Sequence, residues 1–269
     1  RTHATSVTDT GRVRDHNEGS VAVFMPSDEP TLRTRGILAV VADGMGGFEA
    51  GEVASATALK VFSHSYYASA EADPTRALLL AAKEANSSVR DIPAKRCGTT
   101  LVAAAVIGSR VIVINVGDSR AYLVSPEDVR QITRDHSWVE DQVQAGFMTA
   151  EQAQTHARKN VLTRALGSSQ YPDADVFEET LNDNCAVVLC SDGLHGLVLP
   201  SEIGSVVRRS TPDRAAMSLI GLANERGGHD NISVAIVRAG DLDGLETGFS
   251  TIRRKASAPK QRLRRLILA

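Results

Sequence analysis

Apolar runs of strand length recur along the chain, and longer stretches with a helical spacing of apolar residues lie between some of them. The runs are rich in Val and Ile and are bounded by Gly, Asp or Asn, as buried strands tend to be. Two of the helical stretches begin with a proline, which is favoured in the first turn of a helix. The pattern predicts strands at 37–42, 101–107, 111–116, 121–124, 186–190 and 232–237, and helices at 51–66, 74–89 and 212–226.

The order of these elements indicates the fold class. Two predicted helices separate the strands at 37–42 and 101–107, whereas the strands between 101 and 124 follow one another with short turns, as in a meander. This mixture predicts an α+β fold in which helices cover antiparallel sheets. Residues 136–160 are polar, are predicted to be helical, and interrupt the strand order as an insertion or lid. We therefore expect a structured unit over 1–240 that contains this insertion.

Composition sets the size of the core and the charge of the surface. The chain has 269 residues, of which 42% are hydrophobic, and this suits one large domain or two small ones. Seven of its 30 Lys and Arg residues and no acid lie between 253 and 269, so the remainder carries 23 basic against 32 acidic residues. The sequence therefore predicts an acidic body and a basic tail at 241–269, which lacks a core pattern and is expected to be flexible.

Three cysteines bear on the cellular compartment. Cys97, Cys185 and Cys190 lack the spacing of metal ligands, and their odd number argues against a disulfide framework. The chain has no signal-peptide pattern and no apolar run of transmembrane length. We expect a cytoplasmic location. Because the chain opens at Arg1 rather than Met, we also expect a fragment or a processed protein, such as the cytosolic part of a larger one.

Four aspartates share one local design. Asp43, Asp118 and Asp192 each follow an apolar run and adjoin a glycine, and Asp230 lies just before the run at 232–237. A carboxylate in such a place is unfavourable unless it is paired or bound to a metal ion. Several of them converging at strand ends would make an all-oxygen site suited to Mg²⁺ or Mn²⁺. Two such ions can hold a phosphate and lower the pKa of a bridging water.

Each aspartate also has a simpler interpretation. A single Asp at a strand end is more often a turn former or a helix cap than a metal ligand. The four together are harder to explain in this way, but their spacing alone supports no more than a divalent-metal site. Glycines beside the acids, such as Gly44, let the backbone approach closely and can offer a carbonyl ligand.

Short motifs also run through residues 5–240 in a fixed order, and this ordered set is far more specific than any one Asp-Gly pair. By these motifs the chain resembles the metal-dependent protein phosphatases of the type 2C (PPM) family, in their bacterial form. The motifs are Thr8-Asp9-Thr10-Gly11, Arg14 with Asn17-Glu18, Val41-Ala42-Asp43-Gly44-Met45-Gly46-Gly47, Ala50-Gly51-Glu52, Gly98-Thr99-Thr100, Asn115-Val116-Gly117-Asp118-Ser119-Arg120, Thr133-Arg134-Asp135-His136-Ser137, Leu162-Thr163-Arg164-Ala165-Leu166-Gly167, Ser191-Asp192-Gly193 and Asp230-Asn231-Ile232-Ser233.

The resemblance implies a fold and a metal site. The implied fold is an α-β-β-α sandwich of two antiparallel sheets flanked by helices. Asp43 would bridge two metal ions, with the Gly44 carbonyl as a further ligand. Asp192 and Asp230 would complete the shell of the first ion. Asp118 would help to hold a third, weaker ion, so the resemblance implies two or three ions of Mn²⁺ or Mg²⁺.

The resemblance also implies how substrate is bound. Arg14 would bind the substrate phosphate through its planar, bidentate guanidinium group, although without the family match a solvated surface arginine is the simpler interpretation. The insertion at 136–160 would be a flap beside the active site. The implied reaction is in-line attack by a metal-bridged water on phosphoserine or phosphothreonine. The implied partners are phosphorylated proteins, among them Ser/Thr kinases and their substrates, and no nucleic acid is expected.

Departures from the family pattern leave alternatives open. The first motif usually ends in aspartate, but here Gly19 follows Glu18, so occupancy of the second metal ion depends on whether Glu18 compensates as a ligand. Met45 and Phe48 stand where some relatives have histidine. The alternative function is a weak or inactive phosphatase fold that binds a phosphoprotein or a regulator. A third hypothesis is a phosphatase of anti-anti-sigma factors.

The basic tail admits two interpretations. One is a solvated, disordered linker, which we favour. The other is a membrane-surface segment, because basic clusters are attracted to anionic lipid and Leu266-Ile267-Leu268 could begin an apolar stretch.

Overall fold

Two antiparallel β-sheets lie face to face between two layers of helices in this computed structural model, which describes residues 2–46, 49–94, 97–241 and 245. The strands are β1 (Thr2–Asp9), β2 (Gly19–Phe24), β3 (Ile37–Met45), β4 (Gly98–Thr99), β5 (Leu101–Ile107), β6 (Arg110–Val116), β7 (Arg120–Val124), β8 (Val129–Gln131), β9 (Asp175–Thr180), β10 (Ala186–Cys190) and β11 (Ile232–Ala239). The helices are α1 (Glu29–Thr34), α2 (Glu49–Ala68), α3 (Pro74–Arg90), α4 (Trp138–Gln144), α5 (Ala150–Thr155), α6 (Asp192–His195), α7 (Pro200–Arg209) and α8 (Pro212–Glu225).

The strand order places the first and last strands side by side. One sheet has five strands in the order β1-β11-β10-β7-β8. The other has six, in the order β2-β3-β5-β6-β9, with the short β4 also pairing with β3. Along the β1–β11 pair, Thr2 lies opposite Ala239 and Asp9 lies opposite Ile232. The two ends of the folded unit are therefore neighbours in one sheet.

The central strands carry unbroken apolar runs because both of their faces are buried. On β3, Ile37, Ala39 and Val41 face the opposite sheet, while Leu38 and Val40 pack under α2 and α3. The five-stranded sheet repeats this arrangement, with its outer face under α7 and α8. Three layers of side chains thus form the core, one between the sheets and one beneath each helical layer.

Local sequence explains where the long outer helices begin. At α3 the Asp73 side chain accepts a 3.1 Å hydrogen bond from the Thr75 amide, and Pro74 occupies the first turn. Pro200 and Pro212 likewise open α7 and α8, where a missing N–H leaves no helical hydrogen bond unmade. A side-chain cap thus starts α3, a proline starts α7 and α8, and apolar packing on the sheets positions all three helices.

The predicted strands and helices are all present, which confirms the α+β class and the sandwich. The predicted meander over 101–124 was wrong, because β6 pairs with β5 whereas β7 joins the other sheet beside β10. The turn at 117–119, with Gly117 at φ 109°, carries the chain from one sheet to the other. The strand predicted at 37–42 also continues to Met45, so Asp43 lies within β3 and not after it.

The predicted insertion contains two helices, and most of the predicted tail lies outside the described residues. Residues 136–160 contain the short helices α4 and α5, which lie between β8 and β9 in the chain. Apart from residues 241 and 245, the tail at 241–269 lies outside the described residues, as does Phe48.

Candidate active site

Four aspartates lie at one end of the sandwich, where strands of both sheets stop. Asp43 is close to the end of β3, and Asp118 lies in the turn between β6 and β7. Asp192 begins α6 directly after β10, and Asp230 lies just before β11, the neighbour of β10. Asp43 is affected by the charges of all three others, so the structure brings together the acids that the sequence predicted.

Desolvation and mutual repulsion dominate this cluster. Asp43, Asp118 and Asp192 are half-buried and open towards one side, but protein surrounds their carboxyl groups closely. Desolvation, followed by the charges of the other three acids, raises the pKa of Asp43 well above its usual range. Desolvation and then the charge of Asp192 raise the pKa of Asp118 to about 8. The pKa of Asp192 is raised as well, by desolvation and then by Asp230.

Arg14, on the loop between β1 and β2, brings positive charge to this cluster. Its Nη2 donates a 2.7 Å hydrogen bond to Asp230 Oδ2. The two side chains are 55% and 31% exposed, so solvent screens much of their attraction. The hydrogen bond, followed by the charge of Asp230, raises the pKa of Arg14. Arg14 therefore lies beside the acids on their solvent side.

Two glycines bring Glu18, β3 and helix α2 into close contact. A Cβ atom on Gly44 would lie 2.0 Å from the Gly51 carbonyl oxygen, so the helix can approach the strand only because Gly44 has none. The Gly44 amide donates a 3.1 Å hydrogen bond to the Glu18 carbonyl oxygen. A Cβ atom on Gly51 would lie 2.5 Å from Glu18 Oε2, so the Glu18 carboxyl group rests against α2. Burial raises the pKa of Glu18, and Arg14 opposes that shift.

Gly19 lies opposite Asp43 in the β2–β3 pair. A Cβ atom at Gly19 would lie 2.6 Å from Ser233 Oγ and 3.2 Å from Asn17 Oδ1. Ser233 Oγ is in turn hydrogen-bonded to Thr8 Oγ1 at 2.9 Å. The space that the aspartate of the family motif would need is thus occupied by polar groups of β1, β11 and the preceding loop.

Asn231 supports the site, a role that the sequence did not reveal. Its Oδ1 accepts a 2.8 Å hydrogen bond from the Glu18 amide, and its Nδ2 donates 2.9 Å bonds to the carbonyl oxygens of Thr10 and His16. Asn231 is buried, and it fixes the loop that carries Arg14 against the start of β11. The only local sign of this role in the sequence was an amide residue just before a strand. Its hydrogen-bond partners lie 213 to 221 positions away in the chain, so the sequence did not indicate them.

Two histidines hold the turn that carries Asp118, and these roles were also missed. His195 Nε2 lies 2.9 Å from the Asp118 carbonyl oxygen, so this nitrogen carries a proton and donates it. His136 Nδ1 accepts a 3.1 Å hydrogen bond from the Gly117 amide. Desolvation lowers the pKa of both imidazoles, that of His195 to about 4. Both rings are therefore neutral near pH 7 and act as hydrogen-bonding supports.

The donor atoms show whether this cluster suits divalent cations. Carboxylate and carbonyl oxygens are the ligands that Mg²⁺ and Mn²⁺ prefer. Asp192 Oδ1 is buried and has no hydrogen-bond donor among the described residues, so an acceptor is left over. Within residues 2–46, 49–94 and 97–241, no three Asp, Glu, His or Cys side chains already surround one ion position. The donor set fits hard cations, and the carboxyl groups would have to turn towards them on binding.

Comparison with known proteins identifies this arrangement. The profile of the family described as Protein phosphatase 2C matches residues 6–232. The chain belongs to the protein phosphatase 2C family. The Serine/threonine phosphatase stp of Listeria innocua is 37% identical to this phosphatase over 251 residues, which cover 87% of this chain and 95% of that protein.

Solved structures show the same fold. The serine/threonine phosphatase of S. agalactiae has a TM-score of 0.81 and 30% identity, covering 89% of this chain and 100% of that chain. The catalytic domain of the serine threonine protein phosphatase PstP, in complex with two manganese ions, has a TM-score of 0.76 and 30% identity, covering 89% and 99%. This chain is therefore a protein serine/threonine phosphatase with an α-β-β-α sandwich.

None of the helices in the described part of the phosphatase is both long enough and apolar enough to cross a bilayer.

Proposed function

We propose that the acid cluster of this phosphatase holds two or three divalent cations, Mn²⁺ or Mg²⁺, and that Arg14 binds the phosphate of the substrate. The observation that carries the proposal is a group of closely spaced, desolvated carboxyl groups that raise one another's pKa values. The relative that binds two manganese ions supports the same chemistry here. The proposed ligands are Asp43, the Gly44 carbonyl oxygen, Asp118, Asp192, Asp230 and Glu18.

The ligands differ in how the chain presents them. Asp43 and Asp192 come from opposite sheets and interact directly, so a cation between them would replace repulsion with attraction. Asp118 is also repelled by Asp135, and its backbone carbonyl oxygen is held by His195. This separate environment suits a ligand of a third cation. Arg14 competes with a cation for Asp230. We therefore expect binding of a cation by Asp230 to depend on whether Arg14 is bound to substrate phosphate.

The residues of this chain would act on the substrate in the following way. Bound cations would supply a polarised water that attacks the phosphoester and would balance the phosphate charge. Arg14 would leave Asp230 and place its planar guanidinium group against two phosphate oxygens. Because Asn231 holds the loop, this exchange needs only rotation of the arginine side chain. Burial raises the pKa of Cys190 to about 12, so this thiol is no nucleophile.

The substrates of this phosphatase are phosphorylated proteins. We infer that Ser/Thr kinases and their targets are among them and that the enzyme acts in the cytoplasm. The three free cysteines support a reducing compartment. Phosphorylated anti-anti-sigma factors are another candidate class. A panel containing both classes, assayed at equal concentration, separates the two by relative kcat/KM.

We also propose that residues 1–240 form the catalytic domain, that 136–160 act as a flap beside the active site, and that 241–269 are a basic tail. The family profile ends at 232, within one strand of the proposed boundary, which supports it. Binding to anionic lipid vesicles, compared with and without residues 253–269, tests the tail. Equal binding leaves it as a linker, and binding lost on truncation identifies a membrane-surface segment.

The decisive experiment is phosphate release from a phosphothreonine peptide, measured with Mn²⁺, with Mg²⁺ and with chelator. Asp192→Ala should remove the metal-dependent turnover. Asp183→Ala is the matched control, because Asp183 is an exposed aspartate in the turn between β9 and β10. Turnover that persists in chelator, or in Asp192→Ala at the level of the control, contradicts the proposed metal site.

Gly19 favours a second candidate function, in which the fold binds a phosphoprotein with little or no turnover. The family aspartate is absent, and polar groups occupy the space beside Gly19. Under this alternative, folded wild-type protein binds the phosphopeptide but releases no phosphate with either metal. Calorimetric binding of the phosphopeptide, measured beside the turnover assay, distinguishes the two functions.

A further inference from the structure

Thr100, between β4 and β5, is tied to Asp43 by two hydrogen bonds. The Asp43 amide donates a 2.9 Å bond to Thr100 Oγ1, and the Thr100 amide donates a 2.9 Å bond to the Asp43 carbonyl oxygen. Thr100 is 2% exposed, so water does not compete for these bonds. Thr100 therefore bonds to both backbone polar groups of Asp43, and Thr99 Oγ1 donates a further 3.0 Å hydrogen bond to the same carbonyl oxygen.

The same hydroxyl group also contacts the turn that carries Asp118. Thr100 Oγ1 lies 2.7 Å from Ser119 Oγ, and Ser119 is fully buried. Because Thr100 Oγ1 accepts from the Asp43 amide, its own proton is available for Ser119 Oγ. Two consecutive hydrogen bonds thus connect the backbone of Asp43 with the residue next to Asp118.

The methyl group of Thr100 contacts the other side of that turn. A Cβ atom on Gly117 would lie 2.7 Å from Thr100 Cγ2, so only glycine leaves room for the methyl group. Gly117 also has a φ of 109°, which other residues rarely adopt. Thr100 therefore contacts the residues on both sides of Asp118, one through its methyl group and one through its hydroxyl group.

We propose that Thr100 is a positioning residue that fixes the separation of Asp43 and Asp118 and thereby determines how tightly the cations are held. The inference rests on the proposed function, in which both aspartates are metal ligands. Asp43 lies near the end of β3, and Asp118 lies in the turn that leaves β6 for the other sheet, so the two acids lie on different segments of the chain, with β5 between the two strands. The two carboxylates repel each other, and Thr100 holds the segments together.

The test is calorimetric titration of Mn²⁺ into Thr100→Val and Thr100→Ser. Valine keeps the shape and the methyl group but removes the hydroxyl group, whereas serine keeps the hydroxyl group alone. Thr100→Val should raise the Mn²⁺ dissociation constant by about tenfold or more, as for other groups that orient metal ligands. Thr100→Ser should stay close to wild type. The KM for a phosphopeptide at saturating Mn²⁺ should not change, because within the described residues the hydroxyl group that valine removes is hydrogen-bonded to Asp43 and Ser119 and not to the loop that carries Arg14.

Thr133→Val is the matched control for a lost buried hydroxyl group. Thr133 Oγ1 accepts a 3.0 Å hydrogen bond from the Ala121 amide, and Thr133 is 5% exposed. This control should lower the melting temperature measured in chelator, as Thr100→Val does, but leave Mn²⁺ affinity unchanged. If Thr133→Val weakens Mn²⁺ binding equally, a general loss of stability explains the effect and the proposal fails.

Ser119→Ala provides a second route if Thr100→Val does not fold. It removes one hydrogen bond of the pair and leaves Asp43 bonded to Thr100, so it should weaken Mn²⁺ binding in the same direction. If Thr100→Val or Ser119→Ala binds Mn²⁺ as tightly as wild type while Asp43→Asn does not, the positioning role of Thr100 is wrong but the metal site stands. Wild-type affinity in Asp43→Asn as well overturns the proposed metal site itself.

Discussion

The inner and outer parts of the active site are built in different ways. The inner part consists of acids at strand ends, held by backbone hydrogen bonds and repelling one another. The outer part lies on loops, and its members include an exposed pair of opposite charges. We call Asp43, Asp118 and Asp192 the inner acids, and Arg14, Glu18 and Asp230 the rim.

The inner acids and the rim differ in how they affect the stability of the fold. Repulsion among the inner acids opposes folding when no cation is present, so their arrangement depends on the rigid sandwich. The ion pair of the rim contributes little to the folding free energy, because it is screened by solvent. Substitutions in the inner acids should therefore change stability and activity in opposite directions, whereas a substitution of Arg14 should change activity alone.

Asp43→Asn has the largest expected effect. The amide keeps the shape of the side chain but removes its charge, so several kcal/mol of transition-state stabilisation are lost. Mn²⁺-dependent phosphate release should fall by about a thousandfold or more. The melting temperature in chelator should rise, because repulsion from the other acids disappears. A lower melting temperature in chelator would contradict the description of the inner acids.

Arg14→Lys tests the rim. Lysine keeps the charge but loses the bidentate geometry, so kcat/KM for a phosphopeptide should fall roughly 10–100-fold, as for loss of one charged hydrogen bond. The melting temperature should barely move. Arg33→Lys is the control, because Arg33 makes an exposed 2.7 Å ion pair with Glu29 on α1. Equal kcat/KM in the two variants would show that Arg14 does not bind the substrate phosphate.

The pH dependence of the cation-free protein should reveal Asp118. Its pKa is about 8 in the folded state and about 4 when unfolded, so folding disfavours the ionised form. Relative to Asp118→Asn, the wild type should lose stability as the pH rises from about 4 to about 8, and no further above that. Denaturant unfolding in chelator across this range measures the difference. Parallel profiles would show that Asp118 is not desolvated.

Gly19→Asp has the smallest expected effect. The new Cβ atom would meet Ser233 Oγ, and the new carboxylate would lie opposite Asp43, so the free energy of unfolding should fall by about 1–3 kcal/mol. Activity should not increase. Gly19→Asp with Ser233→Ala should recover part of the stability, since the close contact is gone. An increase in activity with Gly19→Asp alone would show that this position limits the wild-type enzyme.

The position of each strand in its sheet explains how well the sequence predicted it. Every predicted strand lies inside a sheet, where both faces are buried and the apolar run is unbroken. Five strands were missed: β4 has only two residues, and β1, β2, β8 and β9 are the four edges of the two sheets. The residues of these edge strands are half-buried or exposed and often polar, as in THATSVTD of β1, and the apolar run of β2, at 21–24, is short.

The residues of the site likewise differ in how well the sequence predicted them. The inner acids could be predicted because each adjoins a recognisable strand. Their supports could not, because Thr100 lies 57 residues from Asp43 and Asn231 lies 213 residues from Glu18. These contacts arise only when both sheets have formed. The order of the motifs located the acids that converge, and only the folded structure shows which residues hold them in place.

The pairing of β1 with β11 has a consequence for synthesis on the ribosome. Translation delivers Arg14 and its loop early, but the groups that hold that loop and the acid that pairs with it belong to residues 230–231. The first strand of the sheet likewise waits for a partner that ends at Ala239. Contacts of such long range form late and slowly. The proposed phosphate-binding loop of the nascent phosphatase therefore lacks these supports until residues 230–239 have left the ribosome.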